Sequence, residues 1–399
     1  MKRTLNAAVA SALLAFGGAA VADDGVIRIG FITDMSGLSA DADGPGGAEA
    51  IKMAVADMGG EVAGKKIEVL VADHQNRADI ASSRAREWLD QKGVDMLIAG
   101  ANSAAALAMA KVAEEKKTPF FVVSAGASEL TNAQCTPYTV HYAYDTVSLS
   151  RGTARAMLKE GNKDWYFLTV DHAFGHALER DASAVVQANG GQVKGRVRHP
   201  LNTSDFSSYI LQAQASGATV LGLANSAADT SNAVKAAAEF GLTPKMKIAG
   251  LLVLITDIHA LGLAAGQDMY LTTAWYWDQD DASRKWAARF EERMKKKPSM
   301  LQAGDYSVTT TYLNAVKATG TTDGEAIMKW VKSNPVNDFF VKNATVRADG
   351  LLVHDMYLMQ VKKPAESKGP WDYYKLVAKI PGDEIYTSPK ESKCRLMTQ

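Results

Sequence analysis

Between Val94 and Leu130 the chain reads VDMLIAGANSAAALAMAKVAEEKKTPFFVVSAGASEL, and this stretch leaves few architectures open. Two short apolar runs, Met96-Leu97-Ile98 and Phe120-Phe121-Val122-Val123, have the length of buried strands, and the Ala-rich segment from Ala104 to Lys117 between them has the periodicity of an amphipathic helix. Strand, helix and strand in that order make a βαβ unit with its strands parallel. Each strand runs into small residues, Gly100-Ala101-Asn102-Ser103 after the first and Ser124-Ala125-Gly126-Ala127-Ser128 after the second. In a doubly wound parallel sheet the loops at the carboxyl ends of the strands line the ligand crevice, and small residues there let a ligand reach backbone N–H groups. Asn102 or Ser103 caps the helix, which turns the positive end of its dipole toward that crevice.

The same rhythm extends in both directions. Val26 to Phe31 and Lys66 to Ala72 read as strands, with helices over Ala48 to Met58 and Ile80 to Lys92. After Thr139-Val140-His141-Tyr142 the pattern restarts. Strands are expected at Asp164 to Val170, Gly191 to Val197, Thr219 to Leu223, Lys247 to Leu254 and Tyr270 to Trp275, with helices between the first four of them. Helices at Arg284 to Met294, Asp305 to Thr319 and Asp323 to Lys332 have no strands between them, so they pack back on the first lobe. The last strands, Ala344 to Arg347, Val353 to Lys362 and Tyr373 to Ile380, are assigned to the second. The chain then crosses between two α/β lobes about three times, with lobes at 23–143 plus 275–343 and 144–274 plus 344–385, and a tail at 386–399.

A length of 399 residues suits two lobes better than one core. Lys plus Arg and Asp plus Glu balance at 44 each, which argues against nucleic acid or a membrane surface and for a small partner. Lys2-Arg3, an apolar run to Ala15 or Phe16, and Ala20-Val21-Ala22 before Asp23 read as a secretory signal peptide, residues 1–22, and no lipobox cysteine sits at its cleavage site. In an exported protein the pair Cys135 and Cys394 is a candidate disulfide tying the tail to the loop beyond Leu130, with two free thiols as the alternative.

Several segments together carry a family resemblance: IGFITDMSG, GGAEAIKMAVADMGG, IAGANSAAALAMAKVAEEKKTPFF, VDHAFGHAL and RADGLLVHDMYLMQVKKP. In order and spacing the chain resembles the type I periplasmic solute-binding proteins of ABC transporters, in the leucine/isoleucine/valine-binding branch. The resemblance implies two Rossmann-like lobes joined by a three-stranded hinge and closing on one ligand in the periplasm. Its expected partners are a small molecule and an inner-membrane ABC permease, with no cofactor, no metal and a monomeric state.

The resemblance places ligand-carboxylate contacts at Ser103 and Ala104 and in the loop from Ala125 through Gly126 to Ser128, and a second-lobe aromatic at Phe174. Asn102 and Ser124 add donors beside them, and Asn225 ends a second-lobe strand. Tyr144, with Tyr142, and Trp275, with Tyr276 and Trp277, are expected to bring rings to the mouth of the cleft. Amino-acid-binding members of the family hold the ligand ammonium with an acid after a second-lobe strand, where this chain has Leu251 and Leu252 and no carboxylate before Asp257. An unpaired ammonium in a dry cleft costs several kcal/mol. Asp43, Asp145 and Asp171 are the candidates to replace that acid. The expected ligand is therefore a hydrophobic or aromatic carboxylate, with a branched-chain or other amino acid, or an amide, as the alternative.

An enzyme and an extracellular sensor are the rival readings. His74, His141, His172, His199, His259 and His354 are scattered singly, with no nucleophile elbow and no metal-ligand spacing. Gly44-Pro45-Gly46-Gly47 lacks the Lys-Ser/Thr ending of a phosphate loop. A sensor requires a transmembrane segment or a signalling domain that the sequence does not provide.

Overall fold

The computed structural model describes residues 25–243 and 245–397, so the expected signal peptide, 1–22, lies outside the described residues. The first half of the chain alternates β1 (Val26–Thr33), α1 (Gly44–Asp57), β2 (Glu61–Val62), β3 (Lys65–Asp73), α2 (Ala78–Glu87), β4 (Met96–Ala99), α3 (Ser103–Lys116), β5 (Phe120–Val122) and β6 (Thr139–His141). These strands form one sheet in the order β2-β3-β1-β4-β5-β6, parallel except for short β2.

The rhythm then repeats through α4 (Thr146–Lys159), β7 (Asp164–Val170), α5 (Ala173–Ala188), β8 (Gln192–His199), α6 (Ser207–Ala215), β9 (Val220–Ala224), α7 (Ala227–Glu239), β10 (Lys247–Gly250), α8 (Ile255–Leu261), α9 (Leu263–Gly266) and β11 (Tyr270–Thr273). Helices α10 (Asp281–Met294), α11 (Met300–Thr319) and α12 (Gly324–Ser333) follow, then β12 (Thr345–Val346), β13 (Leu352–Val353), β14 (Met356–Val361), β15 (Tyr374–Ile380) and α13 (Gly382–Ile385). The second sheet has the order β15-β14-β11-β10-β9-β7-β8, with β14 and β15 joining it antiparallel.

Strand alternation decides which helices cover which face. Ile27, Ile29 and Phe31, Met96 and Ile98, and Phe121 and Val123 pack with α1 and with α10 to α12. The intervening Ile32, Leu97, Ala99, Phe120 and Val122 pack with α2 and α3. In the second lobe Trp165 and Phe167 belong to the first of these cores, while Tyr166 and Leu168 face α6, α7 and α8. One apolar core thus continues from lobe to lobe through the hinge.

The chain leaves the first sheet after His141 and the second after Thr273. The third crossing lies later than 343. Leu351 pairs in parallel with His141, whose N–H donates to the Gly350 carbonyl at 2.9 Å, so the chain passes to the second sheet between Leu351 and Met356. A second difference concerns β10, which stops at Gly250 instead of continuing to Leu254. A Cβ at Gly250 would lie 2.4 Å from Val253 Cγ2, so the chain doubles back there and a buried apolar run leaves the sheet as a loop. Cys135 and Cys394 are joined, with Cα atoms 5.7 Å apart, which fastens the tail beyond the second sheet to the first lobe.

Candidate ligand-binding site

In each sheet the strand order reverses beside the first strand, between β1 and β4 and between β7 and β9. Loops leaving the carboxyl ends of such strands diverge and open a crevice. The two crevices face one another across a cavity that encloses about 680 Å³ free of atoms, its mouth included.

The first-lobe wall is held from behind by a polar network. His74 accepts from the Asn76 N–H on Nδ1, at 3.1 Å, and so donates from Nε2 to the Ala101 carbonyl at 2.7 Å. The Ala101 N–H donates to Thr33 Oγ1, which donates to Asp43 Oδ2 at 3.0 Å. Asn102 Nδ2 donates to the Asn76 carbonyl while its Oδ1 caps α3 through the Ala105 N–H, both at 3.0 Å. Ser103 Oγ accepts from the Ala127 N–H at 3.1 Å, tying the loop after β4 to the loop after β5. The first-turn N–H groups of Ser103 and Ala104 have no intrahelical acceptor. Beside them Ser124 Oγ is buried in the cavity wall without a hydrogen bond. Tyr144 donates to the Ser124 carbonyl at 2.6 Å and lays its ring over Gly126.

The second-lobe wall comes from the loops after β7, β8, β9 and β10. His172 and Ser226 line the cavity at the N-caps of α5 and α7 without a side-chain cap, so neither side chain takes up the first-turn N–H groups of its helix. Burial, with His176 beside it, holds the His172 imidazole below its usual range, and it is neutral at pH 7. Asn102 (φ 82°) and Ala227 (φ 53°) adopt left-handed backbone at corresponding places of the two lobes. Strain of that kind costs about 1–3 kcal/mol per residue and gathers at functional sites. Phe174 and Val170, with Leu201, Leu252 and Leu254, supply apolar surface, and Leu38 and Leu301 answer them from the first lobe. Among the described residues the lining contains no Lys or Arg and one carboxylate, Asp257.

Seven of the residues singled out from the sequence line this cavity: Asn102, Ser103, Ser124, Ala125, Tyr144, Phe174 and Leu252. The other six do not. Ala104 offers only its backbone. Gly126 lies behind the Tyr144 and Phe174 rings. Ser128 is taken by Arg180 and Asp181 of α5. Asn225 is spent on His199 and Thr230. Leu251 is fully buried in core. Trp275 donates to Ser283 Oγ at 2.9 Å and packs on Trp286 and Phe339.

Of the rings expected at the mouth, then, Tyr144 alone reaches the cavity. Tyr142 bonds Ser307 and Thr311, and Tyr276 and Trp277 both donate to the Trp371 carbonyl. None of the three expected substitutes for the missing acid lines it either. Asp43 is buried against Asp305, and desolvation raises both carboxyls. Asp145 caps α4, and Asp171 pairs with His176. Asp257, which is not among those three candidates, is the carboxylate that lines the cavity.

The model of the periplasmic binding protein family matches residues 26–369. A crystal structure of a periplasmic binding protein from Burkholderia mallei is 60% identical with a TM-score of 0.92, covering 93% of this chain and 99% of that one. A branched chain amino acid ABC transporter periplasmic ligand-binding protein from Burkholderia xenovorans is 37% identical, with a TM-score of 0.83 and coverage of 93% and 100%. A solute binding protein of an ABC transporter from Rhodopseudomonas palustris, in complex with 3,4-dihydroxybenzoic acid, shares the fold with a TM-score of 0.83 at 22% identity, over 92% and 100% of the chains. Among curated relatives, Leu/Ile/Val-binding protein homolog 6 of Brucella abortus is 29% identical over 61% of this chain, a match that spans 63% of the relative's length.

Proposed function

The chain belongs to the periplasmic binding protein family, and on that premise we propose that it captures a hydrophobic or aromatic carboxylate outside the cytoplasm and delivers it to an ABC permease of the inner membrane. One observation carries the ligand class. The buried Ser124 hydroxyl makes no hydrogen bond of good geometry, with the Asp43 carboxyl near it, and shares the cavity wall with the start of α3, in a lining of leucines, rings and small polar groups that holds no Lys or Arg. Donors so placed suit one small anion. The Tyr144 and Phe174 rings and the leucines opposite suit an apolar body behind it.

Closure is the mechanism. Each wall comes from a different lobe, so a ligand touching both makes its full set of contacts only when the lobes are shut, and binding shifts the population by that difference. The aromatic-acid complex of the R. palustris protein agrees with such a ligand.

A branched-chain amino acid is the second reading. Asp257 in the wall favours it, because an ammonium there would have a carboxylate, and the B. xenovorans relative carries that description. A thermal-shift panel on protein stripped of carried-over ligand separates the two, since a true ligand at 100 times its Kd stabilises by about 2.7 kcal/mol. Aromatic and aliphatic carboxylates are expected to shift the protein. A shift by leucine or valine with none by the carboxylates overturns the first reading.

A further inference from the structure

Two carboxyls stand behind the first-lobe wall. Asp43, just before α1, and Asp305, on α11, are both fully buried. A Cβ placed on Gly47 would lie 2.6 Å from Asp305 Oδ2 and 2.8 Å from Asp43 Oδ1, so the bare glycine leaves one notch in which these two oxygens meet. Asp43 Oδ2 accepts from Thr33 Oγ1, but neither Asp43 Oδ1 nor either oxygen of Asp305 has a donor among the described residues. Besides Asp305, the groups that act on Asp43 are the Thr33 and Ser124 hydroxyls and His74, which spends its Nε2 proton on Ala101, and Asp43 in turn acts on the Tyr144 hydroxyl; no Lys or Arg is among them.

Two ionised carboxylates do not persist in so dry a notch, and one proton held between them meets the bare oxygens, an acid donating to a carboxylate. The pair then carries one negative charge. Ser124 links that charge to the cavity, since its buried hydroxyl lines the cavity, lies near Asp43 and has one proton to give. A carboxylate in the cavity and the Asp43 carboxylate compete for that proton and repel one another.

We propose that the pair binds a proton together with the solute: a carboxylate entering the cavity takes the Ser124 hydrogen bond, and Asp43 and Asp305 draw a second proton from the solvent, so that anion and proton are captured as one neutral unit. The proposal rests on the carboxylate reading above and adds a second ligand, the proton, to it. Uptake on binding makes affinity fall as pH rises. His172 and Asp257, which also line the cavity, take up protons beside an anion in the same sense, in wild type and in variants of the pair alike, so the difference between these proteins isolates the pair.

Calorimetry counts the protons. Benzoate, 4-hydroxybenzoate and 4-methylpentanoate are titrated into ligand-stripped protein at about pH 8 in phosphate and in Tris, whose heats of ionisation differ, which gives the protons taken up per anion bound. The wild type is expected to take up as much as about one proton with each anion. Asp43→Asn leaves a neutral amide beside a protonated Asp305, so uptake falls and the anion binds about three- to tenfold tighter. Asp305→Asn gives Asp43 a permanent N–H donor and fixes its charge, so uptake falls again while binding weakens by about the same factor. A purely structural pair would move both variants the same way. Uptake unchanged in both variants, or weaker binding in both, overturns the proposal alone. The infrared carbonyl band of a protonated carboxyl, expected in the empty wild type at about pH 8 and missing from D305N, checks the shared proton without any ligand, and a band unchanged in D305N overturns the proposal too. Failure of all three acids to bind the wild type overturns the carboxylate reading beneath it.

Discussion

Arg180 Nη2 donates to Ser128 Oγ at 2.8 Å, joining helix α5 of the second lobe to the loop after β5 in the first. The same hydroxyl donates to Asp181 Oδ2 at 2.9 Å, Thr146 Oγ1 donates to that oxygen at 2.6 Å, and Arg180 also pairs with Glu129. Helix α5 carries Phe174 into the cavity one turn and a half earlier. The element that brings a ring to the cavity is therefore also the one latched across the cleft.

Removing the latch is expected to loosen the closed form without disturbing either lobe. Partly exposed pairs of this kind are worth about 0–1 kcal/mol each. Arg180→Ala should speed ligand release and weaken binding by roughly three- to tenfold, with the melting temperature of the empty protein within a degree or two of wild type. Stopped-flow release rates check it, and an unchanged rate removes the latch from the mechanism.

The two cavity serines should separate binding from stability. Ser124 Oγ makes no hydrogen bond of good geometry in the empty protein, only a weak approach to the Asp43 carboxyl, so Ser124→Ala is expected to move the melting curve little and to lower ligand affinity about 10- to 100-fold, the worth of a hydrogen bond to an anion. Ser103→Ala also strips the Ala127 N–H of its acceptor, which costs about 1–3 kcal/mol of stability. Calorimetry beside thermal melts reads both, and wild-type affinity in S124A would move the anion elsewhere.

Gly126 makes the meeting of two rings possible. A Cβ there would lie 2.6 Å from Tyr144 Cε2 and 3.0 Å from Phe174 Cε2. The tighter clash is with the Tyr144 ring, which is held by its bond to the Ser124 carbonyl and must tilt, and the Phe174 ring of the second lobe is pushed back with it. Gly126→Ala should penalise the closed state by about 1–3 kcal/mol and weaken ligand binding in proportion. In small-angle scattering the ligand should contract the wild type more than the variant, and equal contraction would refute the packing argument.

Asp257 should also write itself into the pH dependence of the empty protein. Burial holds its carboxyl up at about 7, against 3.8 ordinarily. The folded chain therefore keeps a proton that the unfolded chain has lost, and this contribution to stability is complete below pH 3.8 and lost as pH rises through about 7. Asp257→Asn has no such loss. The melting temperature of D257N relative to wild type should climb between about pH 4 and 7 and level off beyond about pH 8. His141, which burial pushes down to about 4, acts in the opposite sense in both proteins and cancels in the difference. A flat difference would place Asp257 in water.

The β4-α3-β5 unit is legible in the sequence because its signals are local: apolar alternation, a helical period, and small residues at both strand ends. Asn102, Ser103, Ser124 and Ala125 follow from it directly. Asp257 is hidden by its neighbours. Leu251-Leu252-Val253-Leu254 has the composition of a strand that would carry the next residues past the cleft, and only the doubling back at Gly250 sends Asp257 into the wall. Ser128 misleads for the opposite reason. A hydroxyl in a crevice loop suits a ligand and a partner helix equally, and nothing near residue 128 announces Arg180. Trp275, Tyr276 and Trp277 show the same ambiguity, since rings at a hinge satisfy their N–H and O–H groups on whatever the hinge packs against.

The bond between Cys135 and Cys394 turns most of the chain into a ring, because the stretch between the two cysteines, a sequence separation of 259, contains every passage from one lobe to the other. A protease that nicks any one of these passages cuts a loop and not a tether. Both halves stay in one molecule until the sulfurs are reduced, so damage at the hinge would surface as lost grip on the solute long before it surfaced as lost mass.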